Sequence, residues 1–139
     1  MLLSSCSCSC KGLTNKFIVK ENGVDICIAN GENSAQGNGV TPFSCKMLYD
    51  SGVDFITLGN HSFKRPEILE FLDRESAIIR PYNFPNGASG KGVGIIDKGR
   101  YRIAVINLMG TVYMEALNNP FLEVEKALGL DGKPQIEEY

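Results

Sequence analysis

Histidine is almost absent from this sequence: His61 is the only one in 139 residues. A metal centre built from several imidazoles within this chain is therefore excluded. The histidine lies in "VDFITLGNHSF", residues 53–63, where an apolar strand pattern runs directly into Gly59 and Asn60. Two interpretations follow. His61 is either the remnant of a metal-dependent active site or a polar residue that orders the end of a strand.

The sequence also lacks an excess of positive charge and any long apolar run. Lys and Arg number 14 against 16 Asp and Glu, so no basic stripe is available for a nucleic-acid backbone, although a small nucleotide remains compatible. No apolar stretch approaches the roughly 20 residues that span a bilayer. The N-terminus has neither the positive start nor the apolar segment of a secretory signal. We therefore expect a globular, cytoplasmic protein with no membrane insertion and no bulk nucleic-acid binding.

The five cysteines do not form a disulfide framework, because their number is odd and three of them alternate with serine within residues 1–10. The other two, Cys27 and Cys45, fall in a predicted strand and a predicted helix. The Cys-x-Cys-x-Cys run offers soft metal ligands, but without a second ligand cluster a disordered tail with reduced thiols is the simpler interpretation. Residues 1–10 are thus predicted to be a low-complexity Ser/Cys tail, and residues 11–139 a single domain.

Helical and strand patterns alternate along the first part of the domain. The predicted elements are a helix over residues 11–23, a strand over 24–30, a helix from Thr41 to 52, a strand over 53–58, a helix from Pro66 and a short strand over 77–81. This alternation is typical of an α/β fold with a mostly parallel sheet. Beyond it, "GVGIID" and "YRIAVINL" flank "KGR", which predicts an antiparallel hairpin added to the sheet, and a last helix is predicted around residues 121–128.

Two of the predicted helices carry apolar residues at spacings that indicate which side packs inward. The residues expected to face the core are Phe43, Met47 and Leu48 in the first of these helices, and Ile68, Leu69 and Leu72 in the second.

Polar side chains follow two successive predicted strands. Glu32 and Asn33 come after the strand that ends at residue 30, and Asn60 and His61 come after the next strand. Ligands of parallel α/β sheets collect at the carboxyl ends of the strands, so these four side chains converge if the strands are neighbours. A carboxylate can bridge two divalent ions, an amide oxygen can bind one, and an imidazole can coordinate or donate a proton. The alternative is ordinary turn chemistry with a solvated glutamate.

Five stretches, "ANGENSAQGNGVT", "GVDFITLGNHSF", "IIRPYNFP", "GKGVGI" and "AVINLMG", occur in series. Together they resemble the bacterial 2',3'-cyclic-nucleotide 2'-phosphodiesterase-like family of calcineurin-type metallophosphoesterases. The resemblance covers residues 11–128 and concerns the N-terminal half of that family. It implies part of an αββα sandwich and a site with two metal ions, iron or manganese, acting on a 2',3'-cyclic nucleotide or a similar small phosphoester.

The same resemblance implies a role for each candidate residue. Glu32 would bridge both metals, Asn33 would assist at the first metal, and Asn60 would bind the second. His61 would donate a proton to the leaving alkoxide.

The chain departs from the family pattern in two ways. The family's first strand ends in Gly-Asp, whose aspartate holds the first metal, whereas the serine-cysteine tail contains no acid. The three histidine ligands of the family's second half are also absent, since His61 is the only histidine. Both metals would then be underligated. These departures lead to the hypothesis that the chain is a truncated or frame-shifted product, or one half of a split enzyme.

Two functions are compatible with this pattern. One is the N-terminal half of a dinuclear phosphodiesterase that needs a companion chain. The other is a non-catalytic interaction module that retains the half-fold, in which uncovered apolar surface would drive self-association.

Overall fold

The computed structural model describes residues 2–5, 21–114 and 116–129. The predicted helix over residues 11–23 lies outside the described residues except for residues 21–23, and so does the end of the chain beyond residue 129. The elements in chain order are β1 (Leu2–Ser5), β2 (Cys27–Asn30), α1 (Pro42–Asp50), β3 (Phe55–Thr57), a 3₁₀ turn (Pro66–Ile68), α2 (Leu69–Arg74), β4 (Ile78–Ile79), β5 (Val93–Asp97), β6 (Arg102–Ile106) and α3 (Pro120–Ala127).

Strands β1 to β4 form one parallel sheet in the order β1-β2-β3-β4. The register pairs Ile28 with Phe55 and Ile56 with Ile78. Short, apolar and β-branched strands suit a sheet that is buried on both faces. The α/β fold with a parallel sheet, predicted from the alternation of patterns, is confirmed.

The two faces of this sheet pack against different layers, because successive strand side chains point to opposite sides. Ile56 belongs to a cluster with residues of the helices, including Cys45, Ile68 and Leu72. Its neighbour Phe55 belongs to a second cluster on the other face, which includes residues of β5 and β6. The layers are therefore helices, parallel sheet and hairpin, which is the partial αββα arrangement.

Strands β5 and β6 pair with each other in a separate two-stranded antiparallel sheet. The prediction of a hairpin is confirmed, but its expected addition to the parallel sheet is wrong. Instead, Ile96 of the hairpin packs on the face that carries Phe55. A Cβ at Gly94 would lie 2.9 Å from Cε2 of Phe55, so the hairpin approaches closely only because residue 94 has no side chain.

The first strand lies within the residues predicted as a low-complexity tail. Leu2–Ser5 pairs in parallel with Cys27–Asn30, placing β1 at the edge of the sheet. The expectation of a tail without regular structure is therefore wrong for these four residues, whereas residues 6–10 lie outside the described residues. Strand pairing uses backbone groups, so an edge strand can form without the alternating pattern that identifies a strand in the sequence.

Helix α1 begins as predicted, with Thr41 accepting a hydrogen bond from the Ser44 backbone and Pro42 at its first position. The predicted packing face is only partly correct. Leu48 is buried, but Phe43 and Met47 are 73% and 54% exposed. Two apolar stripes run along this helix, and the one that includes Cys45 and Leu48 faces the sheet.

The segment after Pro66 also differs in detail from its prediction. Pro66 begins a 3₁₀ turn, and the α-helix starts only at Leu69. Ile68 and Leu72 are fully buried as expected, whereas Leu69 is 38% exposed. Among the residues that the structure describes, no helix combines the length and apolarity that crossing a membrane requires.

Candidate functional site

The carboxyl ends of β2 and β3 lie side by side. Asn30 is paired with Thr57, and the Gly31 amide donates a hydrogen bond to the Thr57 carbonyl at 2.9 Å. The loops that leave these strands therefore start at the same edge of the sheet. The predicted convergence of the four side chains required β2 and β3 to be neighbours, and they are.

The carboxylate of Glu32 lies over Gly59. A Cβ built on Gly59 would be 2.6 Å from the carboxyl carbon of Glu32 and 2.8 Å from its Oε1. The His61 amide donates to Glu32 Oε2 at 3.4 Å, and the Glu32 amide donates to Asn30 Oδ1 at 3.1 Å. These contacts hold the only carboxylate among the four candidates against the backbone of the opposite loop.

The imidazole of His61 contacts the amide side chain of Asn33, with 2.7 Å between Nδ1 and Oδ1. Because an amide oxygen only accepts hydrogen bonds, this contact is a hydrogen bond when Nδ1 of His61 carries a proton. Both side chains are half-buried. The contact with Asn33 engages Nδ1 and not the second ring nitrogen, Nε2.

Asn60 occupies a different position from the other three candidates. It is exposed and lines a cleft of about 330 Å³. The structure therefore brings Glu32, Asn33 and His61 into mutual contact and places Asn60 between this cluster and the cleft. The roles assigned to these residues by resemblance stay predictions.

Ser62 follows His61 directly, and its position indicates a structural role. It is fully buried, and its hydroxyl donates to the Gly59 carbonyl at 2.6 Å. This hydrogen bond closes the turn that carries Asn60 and His61. A hydroxyl committed to its own turn is not placed to act as a nucleophile.

The donor set at this edge does not fit two divalent ions by itself. It provides one carboxylate, from Glu32, and the amide oxygens of Asn33 and Asn60. Within residues 2–5, 21–114 and 116–129, no group of three or more His, Cys, Asp or Glu side chains is placed to hold a metal ion. Sites for divalent ions need six or so oxygen ligands, or four ligands that include nitrogen or sulfur, so a dinuclear centre requires donors beyond those described.

Two asparagines that the sequence analysis did not single out bind backbone groups near the site. Asn107 Nδ2 donates to the Leu58 carbonyl at 2.7 Å, directly before the loop of His61. Asn83 is fully buried, and its side chain bonds to the backbone of Met109 and Asn118. Asn83 lies in the stretch "IIRPYNFP" and Asn107 in "AVINLMG", two of the five that carry the family resemblance, but nothing in either stretch distinguishes a buried structural amide from an ordinary asparagine.

The chain is similar to proteins of a known family. Residues 11–135 match the family described as YmdB-like protein. The 2',3'-cyclic-nucleotide 2'-phosphodiesterase of Bacillus subtilis (strain 168) is 41% identical over 101 residues, which are 73% of this chain and 38% of the relative. The chain thus spans less than half the length of this relative.

Two solved structures share the fold. A hypothetical protein from Thermus thermophilus superposes with a TM-score of 0.78 and 35% identity, over 84% of this chain and 45% of that one. A novel phosphatase from Mycoplasma pneumoniae has a TM-score of 0.76 and 26% identity, over 86% and 44%. With the family match extending over most of the described residues, the chain belongs to the family of YmdB-like proteins.

Proposed function

We propose that this chain provides part of the active site of a phosphoester hydrolase whose substrate is a 2',3'-cyclic nucleotide or a similar small phosphoester. The observation that carries the proposal is the contact of Glu32, Asn33 and His61 at the carboxyl ends of two neighbouring parallel strands. The name of the Bacillus subtilis relative supports the substrate class.

His61 is the proton donor in this proposal. Its Nδ1–H is held by Asn33 Oδ1 at 2.7 Å, so a protonated imidazole would present Nε2–H to the departing oxygen of the phosphoester. Protonation of the leaving alkoxide prevents the build-up of negative charge on it. Glu32, held over Gly59, supplies the carboxylate of the site.

Metal dependence is a further part of the proposal. The described donors do not suffice for two ions, so we propose that donors outside them, on this protein or on a companion chain, complete a centre of iron or manganese. The chain spans 38% of the Bacillus subtilis relative, which leaves most of that relative without a counterpart here.

Complementation in trans tests the proposal. The 139-residue chain would be assayed alone and after co-expression with the part of the Bacillus subtilis relative that it does not cover, on 2',3'-cyclic AMP with Mn²⁺ or Fe²⁺. We expect no measurable hydrolysis by the chain alone and turnover by the co-expressed pair. A robust metal-dependent rate from the chain alone would show that the donor count is wrong. No turnover from a folded, co-purified pair would contradict the hydrolase proposal.

A non-catalytic interaction module is the second candidate, and the hairpin favours it. Strand β6 pairs only with β5 among the described residues, and a two-stranded sheet offers an edge for further strands. Exposed apolar side chains occur elsewhere, including Phe121 at 78% and Leu122 at 56%. Under this proposal the chain self-associates or binds a companion. Size-exclusion chromatography over a range of concentrations would contradict it by giving a compact, concentration-independent monomer.

A further inference from the structure

An aromatic cleft opens beside the strand-end site and shares Asn60 with it. We use the name aromatic cleft for the cavity of about 330 Å³ whose lining includes Asn60, Phe63, Lys64, Phe84, Met109 and Tyr113. The loop that carries His61 continues directly into Phe63 and Lys64, so one wall of the cleft is an extension of the candidate site. A ligand held in the cleft would lie next to the Glu32 and His61 cluster.

Two rings in the lining of the aromatic cleft contact each other. Phe63 and Phe84 meet edge to face, with 5.0 Å between ring centroids and an interplanar angle of 67°. Both side chains are half-buried, so each ring is held in place while part of its surface remains accessible. This geometry is a favoured arrangement of aromatic pairs, and it orients the two rings relative to each other.

Asn83 holds the segment that carries Met109 and Tyr113, two further residues of the lining. Its Nδ2 donates to the carbonyls of Met109 at 2.8 Å and Asn118 at 3.1 Å, while its Oδ1 accepts from the Met109 amide at 3.0 Å. These bonds attach both ends of the segment that carries Tyr113 to the loop of Phe84. Tyr113 itself is fully exposed and has a φ of +60°, a backbone conformation that is uncommon for an aromatic residue.

We propose that the aromatic cleft binds the base of a nucleotide whose phosphate lies at the Glu32 and His61 cluster. This inference rests on the proposed function and specifies which part of the substrate the chain recognises. Aromatic faces and a methionine offer stacking and dispersion contacts to a flat heterocycle, and the Asn60 amide can hydrogen-bond its edge. Lys64, which is exposed, supplies positive charge that complements an anionic ligand. The volume of the cavity falls in the usual range for small-molecule sites.

Binding of a nucleoside without phosphate tests this inference separately from hydrolysis. Nuclear magnetic resonance spectra of the 139-residue chain would be followed during titration with adenosine, and separately with ribose 5-phosphate and with inorganic phosphate. We expect adenosine to cause saturable shifts in the signals of Phe63, Phe84 and Tyr113, and the two phosphates to leave those signals unchanged. Adenosine binding without any hydrolysis by the complemented protein would contradict the proposed function and leave the base site standing.

Three variants locate the binding surface. Tyr113→Ala removes a fully exposed ring and so should not disturb folding, and Phe84→Leu keeps most of the apolar volume. Each should weaken adenosine binding roughly 5- to 100-fold. The control is Phe43→Ala, which removes a 73% exposed ring on α1, outside the cleft, and should leave the affinity unchanged.

Three results would overturn the inference. They are the absence of saturable adenosine binding, an equal loss of affinity in Phe43→Ala, and equal shifts of the cleft signals with ribose 5-phosphate. A cleft covered by a second copy or a companion chain would appear as the first of these results.

Discussion

Gly59 and Glu32 form a pair in which the missing side chain of one makes room for the carboxylate of the other. The φ of Gly59 is not positive, so its backbone conformation is one that any residue can adopt. A Cβ there would nevertheless lie 2.6 Å from the Glu32 carboxyl carbon. Glycine is therefore required at position 59 for space rather than for flexibility, and the position of the Glu32 carboxylate depends on it.

This pairing predicts that Gly59→Ala lowers activity strongly but changes the stability of the fold only slightly. The obstructed atoms belong to the end of a flexible side chain, so Glu32 can rotate away, and the free energy of unfolding should change by less than about 1 kcal/mol. Activity of the complemented protein should fall at least about tenfold, because the carboxylate leaves its position. Gly110→Ala is the matched control, since a Cβ there meets no atom within 4 Å. Full activity in Gly59→Ala would contradict the prediction.

Substitution of His61 and Glu32 should affect different properties of the complemented protein. His61→Ala removes the proposed proton donor, so turnover should fall roughly 10²- to 10⁴-fold while metal content stays nearly intact. Glu32→Ala removes the proposed bridging carboxylate, so metal content and activity should fall together. Metal analysis and rate measurements on both variants separate these roles. Metal loss in His61→Ala with retention in Glu32→Ala would refute the assignment.

Asn83→Ala should destabilise the fold more than an exposed asparagine would. The side chain is fully buried and takes part in three hydrogen bonds with the backbone of residues 109 and 118. Its removal leaves buried backbone groups unsatisfied and should lower the free energy of unfolding by about 2–4 kcal/mol. Asn86→Ala, at an exposed position in the same loop, should change it by less than about 0.5 kcal/mol. Urea unfolding curves of equal midpoint for the two variants would contradict this account.

We expect the buried thiol of Cys45 to make the fold less stable at alkaline pH. Burial, assisted by the negative charge of Glu75, raises the pKa of the Cys45 thiol from 9.0 to about 12. The folded state therefore keeps a proton that the unfolded chain releases, and stability is fully present below pH 9 and is lost as the pH rises toward 12.

Comparison with Cys45→Ala isolates the effects of the Cys45 thiol from those of other groups. Between about pH 9.5 and 11, under reducing conditions, the unfolding free energy of the wild type should fall more steeply than that of Cys45→Ala by about 1 kcal/mol per pH unit. Burial raises the pKa of Tyr49 as well, and the charge of Cys45 adds to this increase, so the difference between the two slopes contains the contribution of Cys45 together with its effect on Tyr49. Parallel slopes would show that the thiol is not desolvated in the folded state.

Local sequence patterns were sufficient for the main outline of the fold. The apolar, β-branched segments around Ile28 and Ile56 predicted parallel strands, and Thr41 with Pro42 predicted the start of α1. These features depend on residues close together in the chain, through β propensity and helix capping. The adjacency of β2 and β3 then followed from general rules of chain connection, which placed the loops of Glu32 and His61 at one edge.

Local sequence patterns did not predict how the elements pack against one another. Helix α1 has two apolar stripes, and the choice of the stripe with Cys45 over that with Phe43 depends on the shape of the sheet it meets. The hairpin pattern predicts β5 and β6, but not that they stack on a face instead of extending an edge. Strand β1 gave no signal, because backbone pairing does not require a particular side-chain pattern.

The sequence by itself therefore determined which residues stand at the strand ends, because Glu32, Asn33, Asn60 and His61 follow strands whose local patterns are strong. Only the tertiary structure decided how they are arranged. It placed Glu32 over Gly59, joined His61 to Asn33, and left Asn60 in the lining of the aromatic cleft. These contacts join residues far apart in the chain, and their geometry depends on the register of two strands and on close packing between loops, which short-range patterns do not encode.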